Sequence, residues 1–156
     1  MSMEIREFRK TDIDIVFEIQ RAAFKPLYEK YRDDINPYLE SKETVLRKYM
    51  RDGTNGYLFL EEGKPTGTVR IMIDQSGKCG KVSALAVRPA CQGRGIAQQA
   101  LLIIEKLHPH VEKWYLDTIL QERGNCHLYE KLGYVKTGKT EEIKDGMTLV
   151  FYEKVK

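Results

Sequence analysis

A strand, a glycine-rich turn and an amphipathic helix follow one another without interruption in the middle of the chain. Val82–Val87 is a short apolar run ending just before a proline, which predicts a central strand buried on both faces. Gly93 and Gly95 form the turn, and apolar residues at helical spacing continue to Leu107. The first turn of a helix presents unpaired N–H groups and the positive end of its dipole. The segment therefore indicates an anion site, although two glycines serve equally well to make a tight turn.

Two common phosphate-binding motifs are excluded at this turn. A Walker turn requires Gly-Lys followed by Ser or Thr, which the turn lacks. A dinucleotide fingerprint requires a third glycine or an alanine where this chain has Gln98. The pattern that remains is Gln92-x-x-Gly95-x-Ala97, preceded by a strand that ends in Leu-Ala-Val. A nucleotide-binding regulator is accordingly disfavoured.

The whole chain predicts one mixed α/β domain over residues 1–156, because this length suits a single domain and no linker interrupts the pattern. From Lys25 to Glu40 the helical pattern breaks down around two prolines, which predicts a long irregular connection. The other predicted elements are a strand at Glu4–Phe8, helices from Asp12 to about Ala23 and from Ser41 to about Met50, strands at Tyr57–Leu60, Thr68–Ile73 and Lys113–Thr118, a helix at Glu122–Leu132, and strands from Gly133 and at Met147–Glu153.

Composition and charge exclude several classes of protein. Hydrophobic residues make up 42% of the chain and charged residues 31%, with a mean hydropathy of -0.48, which argues against a disordered or membrane-embedded chain. The formal net charge of +3 is too small and too evenly spread to predict nucleic-acid binding. No stretch approaches about 18 consecutive apolar residues, and the charged N-terminal sequence does not resemble a signal peptide. We therefore expect a cytoplasmic protein without a nucleic-acid or membrane partner.

Cysteine and histidine do not suggest a disulfide framework or a metal site. The three cysteines form no Cys-x-x-Cys pair and are odd in number, and the three histidines lack further ligands nearby in the sequence. His127 adjoins Cys126, but adjacent side chains on a helix do not face each other, which argues against a Cys-His nucleophile. We expect no metal cofactor.

Two motifs resemble those of a known family, the GNAT superfamily of N-acetyltransferases. Leu85-Ala-Val87 followed by Gln92-x-x-Gly95-x-Ala97 is similar to the family's central motif, and the run from Leu128 to Tyr134 is similar to its C-terminal motif. The predicted element order also resembles the family fold along essentially the whole chain. The resemblance implies an α/β domain with a central, mixed, mostly antiparallel sheet of six to seven strands, a splayed parallel pair and about four helices.

The resemblance also implies acetyl-coenzyme A as a cosubstrate. In the family, backbone N–H groups of the turn bind the pyrophosphate, and the strand before the turn pairs with the pantetheine arm. Val82–Val87 and Lys113–Thr118 would then separate at their C-terminal ends and leave backbone groups free for the ligand. The residues expected at the cosubstrate are Leu85, Ala86, Val87, Gln92, Gly93, Arg94, Gly95, Ile96, Ala97, Asn125 and Tyr129.

Acetyl transfer from a thioester to an amine needs an uncharged nucleophile, a stabilised oxyanion and a proton for the departing thiolate. Tyr129 matches the family tyrosine near the sulfur and is the expected acid, with a packed aromatic as the alternative role. The family's frequent carboxylate before Leu-x-Val falls at Ser83, so Asp117 and Glu122 are the remaining candidates for a base or for orienting water. A frequent family asparagine is replaced by Glu122, with Asn125 three residues later.

The acceptor is expected on the side of the segment from Phe24 to Glu40, where the resemblance puts one wall of the cleft. Tyr28, Tyr31 and Asp34 are candidate contacts for a small primary amine or a peptide amine, because rings and carboxylates attract a cation, although a solvated loop explains them too. The leading hypothesis is thus an acetyl-coenzyme A-dependent N-acetyltransferase, monomeric or homodimeric. A non-catalytic coenzyme A-binding sensor is the alternative.

Overall fold

One mixed sheet of seven strands runs through the computed structural model, which describes residues 3–156. The strands are β1 (Met3–Glu7), β2 (Thr54–Glu61), β3 (Lys64–Ile73), β4 (Cys79–Val87), β5 (Lys113–Ile119), β6 (Val135–Lys144) and β7 (Met147–Val155). They lie in the spatial order β1-β2-β3-β4-β5-β7-β6, and the neighbouring pairs are antiparallel except for the parallel pair β4 and β5. The predicted mixed, mostly antiparallel sheet is confirmed.

Four α-helices cover the two faces of this sheet, as the sequence predicts. They are α1 (Ile13–Tyr31), α2 (Lys42–Tyr49), α3 (Ile96–Leu107) and α4 (Arg123–Lys131). Ser41 is the N-cap of α2, as expected, because its hydroxyl accepts a hydrogen bond from the N–H of Thr44 at 3.2 Å. Within residues 3–156, no helix is long and apolar enough to cross a membrane.

Each face of the sheet has its own apolar core. On one face, Trp114 of β5 packs with Ile104 of α3 in the larger core. On the other face, Leu58 of β2 packs with Val16 of α1 and Tyr49 of α2. Because side chains alternate along a strand, residues of the central strands that do not join the larger core face α1 and α2.

Helix α1 is longer than the sequence predicts. The irregular connection predicted for Lys25–Glu40 is wrong in its first half, since α1 continues through Pro26 to Tyr31. The proline removes one helical hydrogen bond, but tertiary contacts hold the last turns. Tyr31 is buried and its carbonyl accepts a hydrogen bond from the Lys144 ammonium at 2.8 Å. Arg32, with φ of 54°, then ends the helix in the left-handed conformation.

Strand β4 carries a β-bulge and is less buried than predicted. Ala86 pairs with Thr68 of β3 and Ser83 pairs with Arg70, so β4 has one residue more than β3 over this stretch. Ala84, inside the bulge, has φ of 50°. The expectation of a strand buried on both faces is wrong for this region, because every residue from Ser83 to Val87 except Ala86 is partly exposed where β5 no longer pairs with β4.

Candidate functional site

The two parallel strands stay paired for only three residues. Their pairing runs from Cys79 opposite Lys113 to Lys81 opposite Tyr115 and stops there. Beyond this point β5 remains bonded to β7, while the edge of β4 that faces β5 has no ladder partner among the described strands. Backbone groups on that edge are therefore available to a ligand, as the predicted splay requires.

The glycine-rich turn lies directly beyond the unpaired end of β4. Gly93 and Gly95 both have φ of 78°, a conformation that side chains rarely adopt, and a Cβ at either would have nothing within 4 Å. Gly95 is the N-cap of α3 and supplies no side-chain cap, so the N–H groups of the first turn face outward unpaired by a side chain. The Gln92 side chain donates to the Val87 carbonyl at 3.0 Å and folds the turn against β4. This geometry suits a phosphate group.

Two arginines beside the turn are held by ion pairs with neighbouring elements. Arg88 lies 2.7 Å from Glu18 of α1, and Arg94 lies 2.6 Å from Glu61 of β2. A groove of about 550 Å³ opens between these arginines and the turn that joins β2 to β3. The backbone of Arg94, rather than its paired side chain, is thus the part that matches the expected role in the turn.

Tyr129 lies on α4, is partly buried and packs against the larger core. Its ring makes an edge contact with Tyr134 at a centroid distance of 6.0 Å and a tilted contact with Tyr152 at 6.4 Å. Its hydroxyl makes no hydrogen bond with any residue in the described range 3–156. Burial, and to a lesser extent the charge of Asp117, raise the pKa of Tyr129 above its ordinary value. The phenol is therefore protonated at neutral pH and has a donor proton to spare.

Asp117 is a partly exposed carboxylate at the start of the splay. It lies on β5 two residues beyond the last residue paired with β4, and on the face turned toward α1 and α2. Its Oδ2 atom is 3.7 Å from the Lys81 ammonium. Asp117 thus combines a negative charge with access to solvent on the predicted acceptor side.

Glu122 links the start of α4 to the end of α1. Its Oε2 atom accepts hydrogen bonds from the Lys30 ammonium at 2.7 Å and from the Tyr31 hydroxyl at 2.5 Å. Burial by itself would raise the pKa of Glu122, but these two donors outweigh it and the pKa lies below its ordinary value. Glu122 is therefore an ionised anchor with its contacting oxygen already occupied.

The other predicted acceptor residues are spread along α1 and the segment after it. Tyr28 stacks on Tyr38 with a centroid distance of 5.3 Å, and Asp34 is exposed. Tyr31 points to Glu122 instead of to solvent. Asn125, expected at the cosubstrate, is exposed on α4. Among the residues predicted as acceptor contacts or as a base, the described part of the chain brings only Tyr31 and Glu122 into direct contact.

Sequence reasoning missed a Walker-like spacing and a buried polar cluster. Gly133–Thr140 fits Gly-x-x-x-x-Gly-Lys-Thr, but its second half lies in the exposed strand β6, with no helix after it, so it does not form a phosphate loop.

The buried polar cluster contains Arg70, whose charge interrupts an apolar strand sequence. That interruption was the signal available in the sequence. No group of three or more His, Cys, Asp or Glu side chains in residues 3–156 is arranged to hold a metal ion.

The splayed parallel strands, the uncapped glycine turn and the partly buried tyrosine are the features expected of a fold that binds acetyl-coenzyme A for acetyl transfer. A sequence model described as the acetyltransferase (GNAT) family matches residues 14–134. The chain belongs to this family. Membership confirms the expected acyltransferase class and acetyl-coenzyme A as cosubstrate, and lends no support to a non-catalytic module.

Solved structures agree with this assignment at the level of the fold. The PaiA N-acetyltransferase of Thermoplasma acidophilum in complex with coenzyme A is 21% identical, with a TM-score of 0.77 and 100% of both chains covered. The spermidine N-acetyltransferase of Vibrio cholerae in complex with CoA and spermine is 15% identical, with a TM-score of 0.79, covering 98% of this chain and 95% of that one. The ribosomal-protein-S18-alanine N-acetyltransferase of Escherichia coli has 15% identity and a TM-score of 0.79, covering 99% and 94%. Among curated proteins, none matches this chain.

Proposed function

We propose that this protein transfers the acetyl group of acetyl-coenzyme A directly to a primary amine of a small molecule or a peptide. The observation that carries the proposal is the opening between β4 and β5, which has the glycine turn at one end. Tyr129 packs against the same core as Leu85 of β4 and Leu116 of β5. Two of the similar structures are named for spermidine and for an alanine of ribosomal protein S18, which supports an amine acceptor.

The turn and the unpaired edge of β4 bind the donor in this proposal. Backbone N–H groups from Gly93 to Ala97 hold the pyrophosphate, and Leu85–Val87 bond the amides of the pantetheine arm. Ala84 and Leu85 have no ladder partner on β3 because of the bulge, and the N–H of Leu85 is assigned to polarise the thioester carbonyl. The same strand thereby fixes the arm and its reactive end.

In the proposed mechanism the acetyl group passes directly from the sulfur of the thioester to the nitrogen of the amine. The lone pair of the neutral amine attacks the carbonyl carbon, the new C–N bond forms, and the C–S bond breaks with the electron pair leaving on sulfur. The Tyr129 hydroxyl, which its raised pKa keeps protonated, gives its proton to this sulfur, and the phenolate takes a proton back from solvent. The surplus proton of the attacking nitrogen passes to water oriented by Asp117, which is partly exposed on the acceptor side.

Glu122 is assigned a positioning role in the proposal. Its bonds to Lys30 and Tyr31 fix the end of α1 against α4, and its lowered pKa makes it a weak base. Tyr28 and Asp34 remain proposed acceptor contacts on the same side.

The test is thiol release from acetyl-coenzyme A in the presence of a panel of small amines and peptides, with mass spectrometry of the products. We expect release to depend on the amine and to give an N-acetylated product. An Asp117→Asn variant should retain cosubstrate affinity and turn over more slowly. Binding of acetyl-coenzyme A without amine-dependent release across the panel would contradict the proposal and revive a sensor function.

A further inference from the structure

Arg70 is a buried cation without a carboxylate partner. The residue lies on β3 and is 7% exposed, and its guanidinium carries five N–H donors. Within residues 3–156 it makes one hydrogen bond, from Nη2 to the Ser83 hydroxyl at 3.3 Å, and its carbon Cζ lies 6.0 Å from the centroid of the Tyr49 ring. Burial lowers the pKa of Arg70. Most of its hydrogen-bonding capacity is therefore unused.

Other arginines of this chain show how the fold satisfies such groups. Arg6 forms two 2.8 Å hydrogen bonds with Asp12, and Arg88 and Arg94 each contact a glutamate. All three are more exposed than Arg70 and yet are paired. A buried charge costs more to leave unpaired than an exposed one, which makes Arg70 the group that calls for an external anion.

The groups around Arg70 add donors rather than a counter-charge. Tyr49 Oη and Thr68 Oγ1 are buried and lie near each other, and neither meets hydrogen-bond geometry with a described residue. Thr68 and Arg70 are two residues apart on β3 and so share a face, with Ser83 opposite Arg70 on β4. Burial, chiefly, raises the pKa of Tyr49 to about 12, so its hydroxyl keeps a proton to donate.

The acidic side chain whose charge acts on Arg70 is already committed to other partners. Glu40 acts on Arg70 through its charge, but its Oε1 atom accepts a hydrogen bond from Gln20 at 2.9 Å and its Oε2 atom contacts Lys48. Arg70, Tyr49, Thr68 and Ser83 thus form a donor cluster with no carboxylate of its own in contact.

This donor cluster lies next to the proposed site of chemistry. Ser83 is half-buried, belongs to the part of β4 that β5 leaves uncovered, and immediately precedes the bulge. At about 3.3 Å per residue, it is roughly 6–7 Å along the strand from Leu85, whose N–H we assign to the thioester. The cluster also faces α1 and α2, which is the proposed acceptor side.

We infer that the acceptor carries a carboxylate beside its amine, and that Arg70, with Tyr49 and Thr68, binds this carboxylate while the amine approaches the thioester. The substrate class is therefore an amino acid or a closely related amino acid derivative, which narrows the proposed function and rests on it. A polyamine would bring like charge to a buried guanidinium, so the structure disfavours that class of acceptor.

The experiment compares each amino acid with its own primary amide, which keeps the amine and the size but lacks the negative charge. We expect the parent protein to acetylate the acid with a higher kcat/KM than the amide after correction for the free amine in each. Arg70→Met should lower kcat/KM for the acid by roughly tenfold to a hundredfold, the size of a lost charged hydrogen bond, and for the amide by less than about twofold. Arg70→Lys should recover part of the loss, and Arg47→Met, which removes an exposed arginine of α2, should change neither.

A binding measurement separates this inference from the transfer reaction. N-acetylated amino acids have the carboxylate but no nucleophilic amine, so calorimetric titration of the coenzyme A-loaded protein reads recognition without turnover. We expect the N-acetylated acid to bind more tightly than its amide and to lose that advantage in Arg70→Met.

Three results would overturn the inference. The first is a parent protein that does not distinguish acid from amide in either assay, and the second is an Arg70→Met variant whose kcat/KM falls equally for the acid and the amide. The third is a parent protein that prefers polyamines. If Arg70→Met does not fold, the comparison in the parent protein and in Arg70→Lys decides. Selective carboxylate binding without acetylation of any amine would instead refute the proposed transfer and leave the recognition site standing.

Discussion

Gly95 is the residue on which the proposed phosphate-binding turn depends. Its φ of 78° is accessible to glycine without strain, and a Cβ there would project into the space that we assign to the donor. We expect Gly95→Val to weaken acetyl-coenzyme A binding by roughly tenfold or more, because donors to a charged group are displaced. Calorimetric titration measures this loss.

Gly146→Val provides the matched control for that measurement. Gly146 has φ of 83°, lies in the turn between β6 and β7, and likewise has nothing within 4 Å of the position that a Cβ would occupy. Each substitution should cost about 1–2 kcal/mol of stability through backbone strain, so only affinity should tell them apart. Equal affinity in the two variants would remove the turn from the donor site.

In the proposed mechanism Tyr129 donates its proton only when charge develops on sulfur, which separates its effect on catalysis from its effect on binding. We expect Tyr129→Phe to lower the rate of acetyl transfer by roughly a hundredfold while acetyl-coenzyme A affinity changes little. Single-turnover kinetics report the chemical step directly. Tyr134→Phe is the control, because it removes a buried hydroxyl that has no hydrogen-bond partner in the described residues, from a ring in contact with Tyr129. If both variants react as fast as the parent protein, Tyr129 is a packing residue.

Local sequence was sufficient to predict the turn, but not the donor cluster around Arg70. The turn depends on glycines three residues or fewer from the helix start, and such spacing is visible in the sequence. The contact between Arg70 and Ser83 depends on the register of β3 and β4 and on one extra residue in the bulge. Neither register nor bulge follows from the residue types alone.

At the scale of elements, α1 shows why a propensity argument ended a helix too early. Pro26 and the aromatic residues after it break the apolar pattern, and the sequence therefore predicted an end near Ala23. The helix continues because its last turn is bonded to β6 through Lys144 and to the start of α4 through Glu122. Both partners are more than 90 residues away in the chain, so no local pattern reveals them.

The bond between α1 and α4 gives a prediction about stability and pH. Glu122→Gln removes the carboxylate that accepts from Lys30 and Tyr31, and should lower the free energy of unfolding by about 1 kcal/mol at neutral pH. The folded-state pKa of Glu122 is depressed, so its contribution is present above the ordinary glutamate pKa of about 4.3 and is lost as the pH falls through the lower folded value. Urea unfolding at neutral and acidic pH should therefore show a difference between parent and variant that closes in acid.

The control for this measurement is Glu142→Gln, an exposed glutamate of β6, which should leave stability unchanged at both pH values. Because Glu122 is assigned a positioning role, acetyl transfer by the folded Glu122→Gln variant at neutral pH should stay within about twofold of the parent. A large fall in the chemical rate with unchanged stability would make Glu122 catalytic instead.

For the molecule as a whole, the two faces of the sheet contribute different residues to the proposed reaction. The order of elements could be predicted from the sequence, since each strand and helix has its own local pattern and the family resemblance supplies their arrangement. Which side chains share a face could not, because one bulge in β4 shifts the alternation of that strand. Asp117 and Arg70 lie on the face of α1 and α2, whereas Tyr129 packs into the core on the other face. The proposed reaction therefore takes place where β4 and β5 open a passage between the faces.

This arrangement predicts the pH dependence of the whole reaction. An amine with an ordinary pKa of about 10.4 must lose a proton before it attacks, so kcat/KM should rise with pH through the neutral range with a slope near one on logarithmic axes. The rise should continue without a descending limb to at least about pH 9, because burial raises the pKa of Tyr129 above its ordinary value of about 10 and the acid stays protonated. Initial rates at saturating acetyl-coenzyme A across this range measure the profile, and Tyr129→Phe should give a lower, parallel line. A fall in kcat/KM below about pH 9 that disappears in Tyr129→Phe would mean that the phenol loses its proton too early, contrary to its burial.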